Sequence, residues 1–185
     1  KDANGYYLYD GNTDVSIVLT DSFSGIKSVK WEISATYDTE NNETKEISFS
    51  ESSGGFKTDK DSDGLIPKAE GHINVKNNSN SIHVTATMTD NAGNTSSKDI
   101  YLSIDKHSPV IETELLNTAG DATYSNYYKD NQFVKVTVSD TNFNGSGVFL
   151  ANTEEGAYYP VSGFQYVGDG ENGSKKYSTT VSYTL

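Results

Sequence analysis

Val15-Ser16-Ile17-Val18-Leu19-Thr20-Asp21 and, 119 positions further on, Val134-Lys135-Val136-Thr137-Val138-Ser139-Asp140 read as one strand written twice. In both, aliphatic residues fall on every second position and the run stops at an aspartate. A period of two places Val15, Ile17 and Leu19 on one face of a strand, and Val134, Val136 and Val138 on one face of another. Tyr9 and Tyr128 keep the same offset. A repeat of this length is too long for a solenoid unit and suits a whole β-domain. Two domains are therefore predicted, residues 1–105 and 106–185.

Working outward from Val15–Leu19, further alternating runs follow. Tyr6–Tyr9 is a short strand. Val29, Trp31, Ile33 and Ala35 alternate with Lys30, Glu32 and Ser34. Ile47 and Phe49 mark another strand, Ile73 and Val75 another. Ile82, Val84, Ala86 and Met88 alternate with His83, Thr85 and Thr87, and Ile100, Leu102 and Ile104 complete the set. Turn signals separate them: Asp21–Gly25, Asp38–Glu43, Ser52–Gly55, Asn77–Asn80 and Asp90–Asn94. About seven short strands in a hundred residues, with no helical periodicity, argue an all-β sandwich. Trp31 on the third strand sits where an immunoglobulin-type sandwich keeps its large core residue.

Hydrophobic content of 34% and a net charge of −12 would suit a disordered chain, but disordered chains do not alternate so strictly. The acidity argues against nucleic acid and anionic membrane as main partners. The absence of cysteine excludes thiol catalysis and thiolate metal sites. No apolar run approaches the roughly 18 residues of a membrane-spanning helix. No leader peptide is read at the start, and the repeat favours an internal stretch of a longer protein. Asp90 offset by 119 falls beyond residue 185, so the second unit is expected to lack counterparts of the last two strands of the first. Val110–Leu115 has no counterpart ahead of Lys1, so the first unit is expected to lack an opening edge strand. Between the units, Pro109 fixes its own φ and holds Ser108 extended, which predicts a short, stiff linker over Asp105–Pro109.

Asp90-Asn91-Ala92-Gly93-Asn94 after an alternating strand, and Ile104-Asp105-Lys106-His107-Ser108-Pro109-Val110-Ile111 between the units, resemble the bacterial immunoglobulin-like domains that occur in tandem in surface proteins of Gram-positive bacteria. Tyr127-Tyr128 followed by Val134–Asn142 resembles the start of such a repeat. His107-Ser108 departs from the Thr-Ala more usual there. The resemblance implies tandem immunoglobulin-like β-sandwiches, the second incomplete at its C-terminal end. It also implies an extracellular, cell-wall or cell-surface location. In the turn itself, Gly93 and Asn94 tolerate positive φ and Asp90 can accept backbone N–H bonds.

Asp59-Lys60-Asp61-Ser62-Asp63-Gly64-Leu65-Ile66-Pro67-Lys68-Ala69-Glu70 fits the twelve-position calcium-loop pattern. Asp59, Asp61 and Asp63 hold positions one, three and five, and Gly64 the sharp turn at six. Leu65 offers its carbonyl at seven, Ile66 is aliphatic at eight, and Glu70 is the carboxylate at twelve. A hard cation wants six to eight oxygens, and this density of acceptors could supply them. Pro67 at nine is unusual and the flanks are not helical. The expectation is a stand-alone calcium loop between strands, mobile without the ion because its carboxylates repel; a solvated acidic turn is the alternative.

Catalytic constellations are not legible. His72, His83 and His107 have no metal-ligand spacing, no serine has an identifiable base, and the adjacent Glu154 and Glu155 would point apart on a strand. A Lys–Asn crosslink would need a desolvated lysine, and no inward lysine is read. No enzymatic activity is expected. Tyrosine is frequent, at 13, and the pairs Tyr6-Tyr7, Tyr127-Tyr128 and Tyr158-Tyr159 should each put one ring inward and one outward. Outward rings can stack on sugars or proteins. The function expected is that of an adhesin stalk or spacer whose partners are neighbouring immunoglobulin-like domains of the same chain. The alternative is a module binding host glycan or protein, in an adhesin or a secreted glycan-active enzyme.

Overall fold

Among the described residues, the regular structure is strand, as the period of two predicts, apart from single 3-10 turns at Thr39–Asn41 and Glu171–Gly173. The computed structural model describes residues 5–50, 53–116, 132–152 and 156–183. Two units divide the chain, Lys1–Lys106 and His107–Leu185. The first holds β1 (Tyr7–Tyr9), β2 (Thr13–Thr20), β3 (Ile26–Ala35), β4 (Glu43–Ser48), β5 (Lys57–Asp59), β6 (Lys68–Val75), β7 (Ser79–Asp90) and β8 (Thr95–Ile104). One sheet runs β1-β8-β7-β3-β4, with β1 parallel to β8 and the other neighbours antiparallel; the second runs β2-β6-β5 and is antiparallel throughout. With β2 as strand B and the rest following in order, these are B-E-D and G-F-C-C′, the strand order of an immunoglobulin-type sandwich.

The inward faces of both sheets make one core. Ile17 and Leu19 of β2 and Ile73 and Val75 of β6 meet Val29, Trp31 and Ile33 of β3, Ile82 and Val84 of β7, and Leu102 and Ile104 of β8. Val15 is half-buried at its edge. Trp31 is buried, 6.1 Å from the ring of Phe56, which meets Phe49 edge-on at 5.7 Å. The chain has no cysteine, so no disulfide crosses the sheets and packing of the core carries the join. Gly71 lies under the Phe56 ring: a Cβ there would stand 2.6 Å from it.

Two stretches differ from the sequence reading. Both ends of the segment from Asp59 to Glu70 are strand: Lys57–Asp59 and Lys68–Val75 form a hairpin, and residues 60–67 loop out between them. The hairpin escaped notice because β5 is three residues long and its alternation is of charge, not of apolarity. The turn expected at Asn77–Asn80 is shorter, because β7 already begins at Ser79.

The second unit holds β9 (Val110–Leu116), β10 (Gln132–Asp140), β11 (Phe149–Asn152), β12 (Ala157–Pro160), β13 (Gln165–Asp169) and β14 (Lys175–Tyr183). Its sheet runs β13-β14-β10-β9, antiparallel, beside a β11–β12 hairpin. Val136, Val138, Val148 and Val161 are buried, with Val134, Phe143, Leu150, Phe164 and Val181 packed around them. Thus β13-β14-β10 repeats the order β5-β6-β2, and β9 adds a strand on the far side of β10. Tyr158 and Tyr159 correct the one-in, one-out expectation: both are exposed, 73% and 48%. Tyr127-Tyr128 and Glu154-Glu155 lie outside the described residues.

Candidate functional site

The five residues assigned to calcium are divided between the β5–β6 hairpin, which holds Asp59 and Glu70, and the loop 60–67, which holds Asp61, Asp63 and Leu65. Asp59 ends β5 opposite Lys68, and Glu70 lies within β6 opposite Lys57. Residues directly opposite on antiparallel strands share a face, as do residues two apart. Two lysines and two carboxylates therefore alternate on one exposed face. Glu70 pairs with Lys68, which holds the Glu70 carboxyl below its ordinary value; Lys57 adds to the effect. On the hairpin, Lys57 and Lys68 thus interleave with Asp59 and Glu70. Asp61 serves the loop itself: its Oδ1 accepts from the N–H of Asp63 at 3.0 Å and of Leu65 at 2.9 Å. The Leu65 carbonyl accepts from the Asp61 N–H at 2.9 Å, and Gly64 makes the bend at φ +79°. Among the described residues, no three histidine, cysteine or acidic side chains are grouped to hold a metal ion.

The same loop is one corner of a hydrogen-bonded end to the sandwich. The Ile66 carbonyl accepts from the Ile26 N–H at 2.8 Å, and the Pro67 carbonyl from the Asp21 N–H at 2.9 Å. Asp21 Oδ1 accepts from the backbone of Phe23, Ser24 and Gly25. Gly25, at φ +74°, passes so close that a Cβ would lie 3.0 Å from Leu65 Cβ. Asn91 ties the β7–β8 turn to this corner, donating its N–H to the Gly25 carbonyl and its side-chain amide to Ser24. Asp90 accepts from the Asn94 backbone N–H at 2.7 Å and from its side-chain amide at 2.8 Å. The Asn94 side chain is the main cause that holds the Asp90 carboxyl below its ordinary value. The Asp90 carboxylate is thus engaged in closing the turn, which Asn91 anchors.

A polar ladder on the outer face of β7–β8 was not foreseen as a unit. His83 stacks on Tyr101 at 4.6 Å, and Tyr101 on Tyr6 at 5.6 Å. His83 Nε2 meets Asp99 at 2.8 Å, Thr85 donates to Asp99 at 2.7 Å, and Thr87 meets Ser97 at 2.8 Å. Thr85 first, then His83, holds the Asp99 carboxyl below its ordinary value. The sequence did carry the signal: a turn centred on Ala92 sets His83 opposite Tyr101 and Thr85 opposite Asp99. Ring faces in this ladder are spent on each other. On the second unit, the β11–β12 hairpin exposes Phe149 to 57% and Tyr158 to 73%.

No family model matches the chain, and no curated protein does. Solved structures it is similar to include a marsupial T cell receptor, at 11% identity and a TM-score of 0.32 over 97% of this chain and 84% of that one. A chicken T cell receptor aligns at 10% identity and a TM-score of 0.35, over 97% of this chain and 86% of the other. Scores this low leave the fold to rest on the strand order above.

Proposed function

We propose that the chain is a non-catalytic tandem immunoglobulin-like segment of a bacterial surface protein, extracellular and cell-wall attached, acting as adhesive stalk or spacer. The observation that carries the reading is the repetition of β5-β6-β2 as β13-β14-β10, with the aliphatic pattern of β2 recurring in β10 at 119 positions. Two copies of a domain whose aspartates serve its own turns suit a load-bearing array better than a reaction site. Its partners on this reading are neighbouring domains of the same kind. Single-molecule stretching tests it: two unfolding steps that recover on relaxation are expected, and one step, or failure to recover, removes the reading.

A second reading, a module for glycan or protein, is favoured by the exposed Phe149, Tyr158 and Tyr159 on the β11–β12 hairpin. Aromatic faces in water are suited to stacking on sugar rings. A glycan array with the wild-type chain and Tyr158→Ala decides: a dose-dependent signal lost in the variant supports the module. Calcium stiffening belongs to the proposal too. An ion at Asp59, Asp61, Asp63, Leu65 and Glu70 requires Asp59 and Glu70 to turn away from Lys68 and Lys57. A calcium-dependent rise in melting temperature that disappears in Asp63→Asn supports that step, and superimposable curves remove it.

A further inference from the structure

The tripeptide Asn-Gly-Ser occurs twice in the second unit, at residues 144–146 and 172–174. The fold treats the two copies differently. Asn144 lies in the connection from β10 to β11, between Phe143 and Val148, which both pack into the core of the unit. Its Oδ1 accepts from the Ser146 backbone N–H at 3.1 Å and from the Ser146 hydroxyl at 2.6 Å. In the second copy the same two donors go elsewhere: the Ser174 N–H and hydroxyl both donate to the Glu171 carbonyl, at 3.0 Å and 2.7 Å. That copy is also wound into the 3-10 turn Glu171–Gly173. Asn144 is exposed. Gly145, at φ +82°, has no side chain to shield its nitrogen, and beyond its chain neighbours no atom lies within 4 Å of where a Cβ would stand.

We propose that Asn144 is a self-modifying site, at which the side-chain amide closes on the Gly145 nitrogen and is converted to a carboxylate. The Gly145 amide nitrogen loses its proton to solvent base and attacks Asn144 Cγ. Negative charge develops on Oδ1 in the tetrahedral intermediate, and the two Ser146 donors already stand at that atom. Donors fixed where charge develops lower the barrier to acyl transfer. The Cγ–Nδ2 bond then breaks, ammonia leaves with a proton from solvent, and a cyclic imide remains. Water opens the imide. Cleavage at Cγ gives aspartate; cleavage at the main-chain carbonyl gives isoaspartate, in which the chain runs through Cβ and Cγ. Nothing is oxidised or reduced: water enters and ammonia leaves. The aspartate product keeps an oxygen for Ser146, whereas isoaspartate lengthens the main chain between Phe143 and Val148. Glycine after the asparagine makes the closure accessible, since a side chain there would crowd the nitrogen. The chemistry is the same whether the chain serves as a stalk or as a binding module.

The experiment follows the full 185-residue chain in mildly alkaline buffer, below its melting range, with each site read by peptide mass spectrometry. Conversion adds about 1 Da, and enzymatic methylation of isoaspartate separates the two products. Asn144 is expected to convert about tenfold faster than Asn172. In denaturant the two identical tripeptides lose their different surroundings, and the gap should collapse. Ser146→Ala should slow conversion of the folded Asn144 about tenfold and leave Asn172 unchanged. Ser146→Thr, which keeps both donors, should restore the rate. Equal rates at the two sites of the folded chain, or an Asn144 that converts faster unfolded than folded, overturns the proposal, because the fold then gives the site no advantage. A gap that survives denaturant overturns it too, since flanking sequence and not the fold would set the rate. So does a Ser146→Ala rate equal to that of wild type. Stretching is read on freshly prepared chain, so its failure removes the stalk reading and leaves Asn144 untouched.

Discussion

Gly71 shows how much of the core is set by one missing side chain. Its backbone lies against the Phe56 ring, whose atoms would be 2.6, 2.7 and 2.8 Å from a Cβ. Gly71→Ala should therefore cost about 1–3 kcal/mol, the usual range for overpacking. A smaller ring site should relieve it, so Gly71→Ala combined with Phe56→Leu should lose less than the two single changes added together. Denaturant unfolding of the four proteins checks this, and strict additivity refutes the contact. Trp31→Ala, which empties the middle of the same cluster, should cost about 3–5 kcal/mol. Asp90 makes a prediction in pH. Its folded carboxyl is held below the ordinary value of 3.8, first by the Asn94 side chain. The folded state thus favours the carboxylate: the stabilisation is fully present above the ordinary value and is lost as pH falls through the lower folded one. Asn94→Ala should lower the melting temperature at neutral pH, and the gap from wild type should close on acidification below the folded value. A gap independent of pH would show that Asn94 acts through packing alone.

At the scale of the element, the hairpin β5–β6 separates what was legible from what was not. The long strands were readable because burial of one face writes a period of two into Val29–Ala35 and Ile82–Met88. The hairpin was not, because its alternation is Lys57, Asp59 against Lys68, Glu70, which looks like loop composition until the strands are paired. The twelve-position acidic pattern was real as spacing, yet spacing along the chain does not fix which way a carboxylate points once strand register intervenes. The loop's order instead rests on Asp61, whose Oδ1 holds the N–H groups of Asp63 and Leu65. Asp61→Ala should cost roughly 1 kcal/mol and speed amide exchange at both residues. Asp61→Asn keeps the accepting oxygen and should restore most of the loss. If the two variants behave alike, charge and not turn closure is what Asp61 contributes.

Across the whole molecule, the two units differ in how much apolar surface they remove from water. The core of the first draws buried residues from both its sheets, among them Trp31, Phe49 and Phe56. In the second, the described buried apolar residues are Val136, Val138, Val148 and Val161, while Ile111 and Leu115 on β9 stay 54% and 44% exposed. The driving force for folding scales with buried apolar area, so the second unit should be the less stable. Calorimetry of the full chain should then show two transitions, the lower belonging to residues 107–185. Val136→Ala should lower only the first transition and Ile82→Ala only the second, since distant sites without shared partners act independently. Ile82→Ala empties a fully buried site and should cost about 2–5 kcal/mol in its own unit. One transition that moves with either substitution would mean that the units fold as a single cooperative body, and the division of stability between them would have to be abandoned.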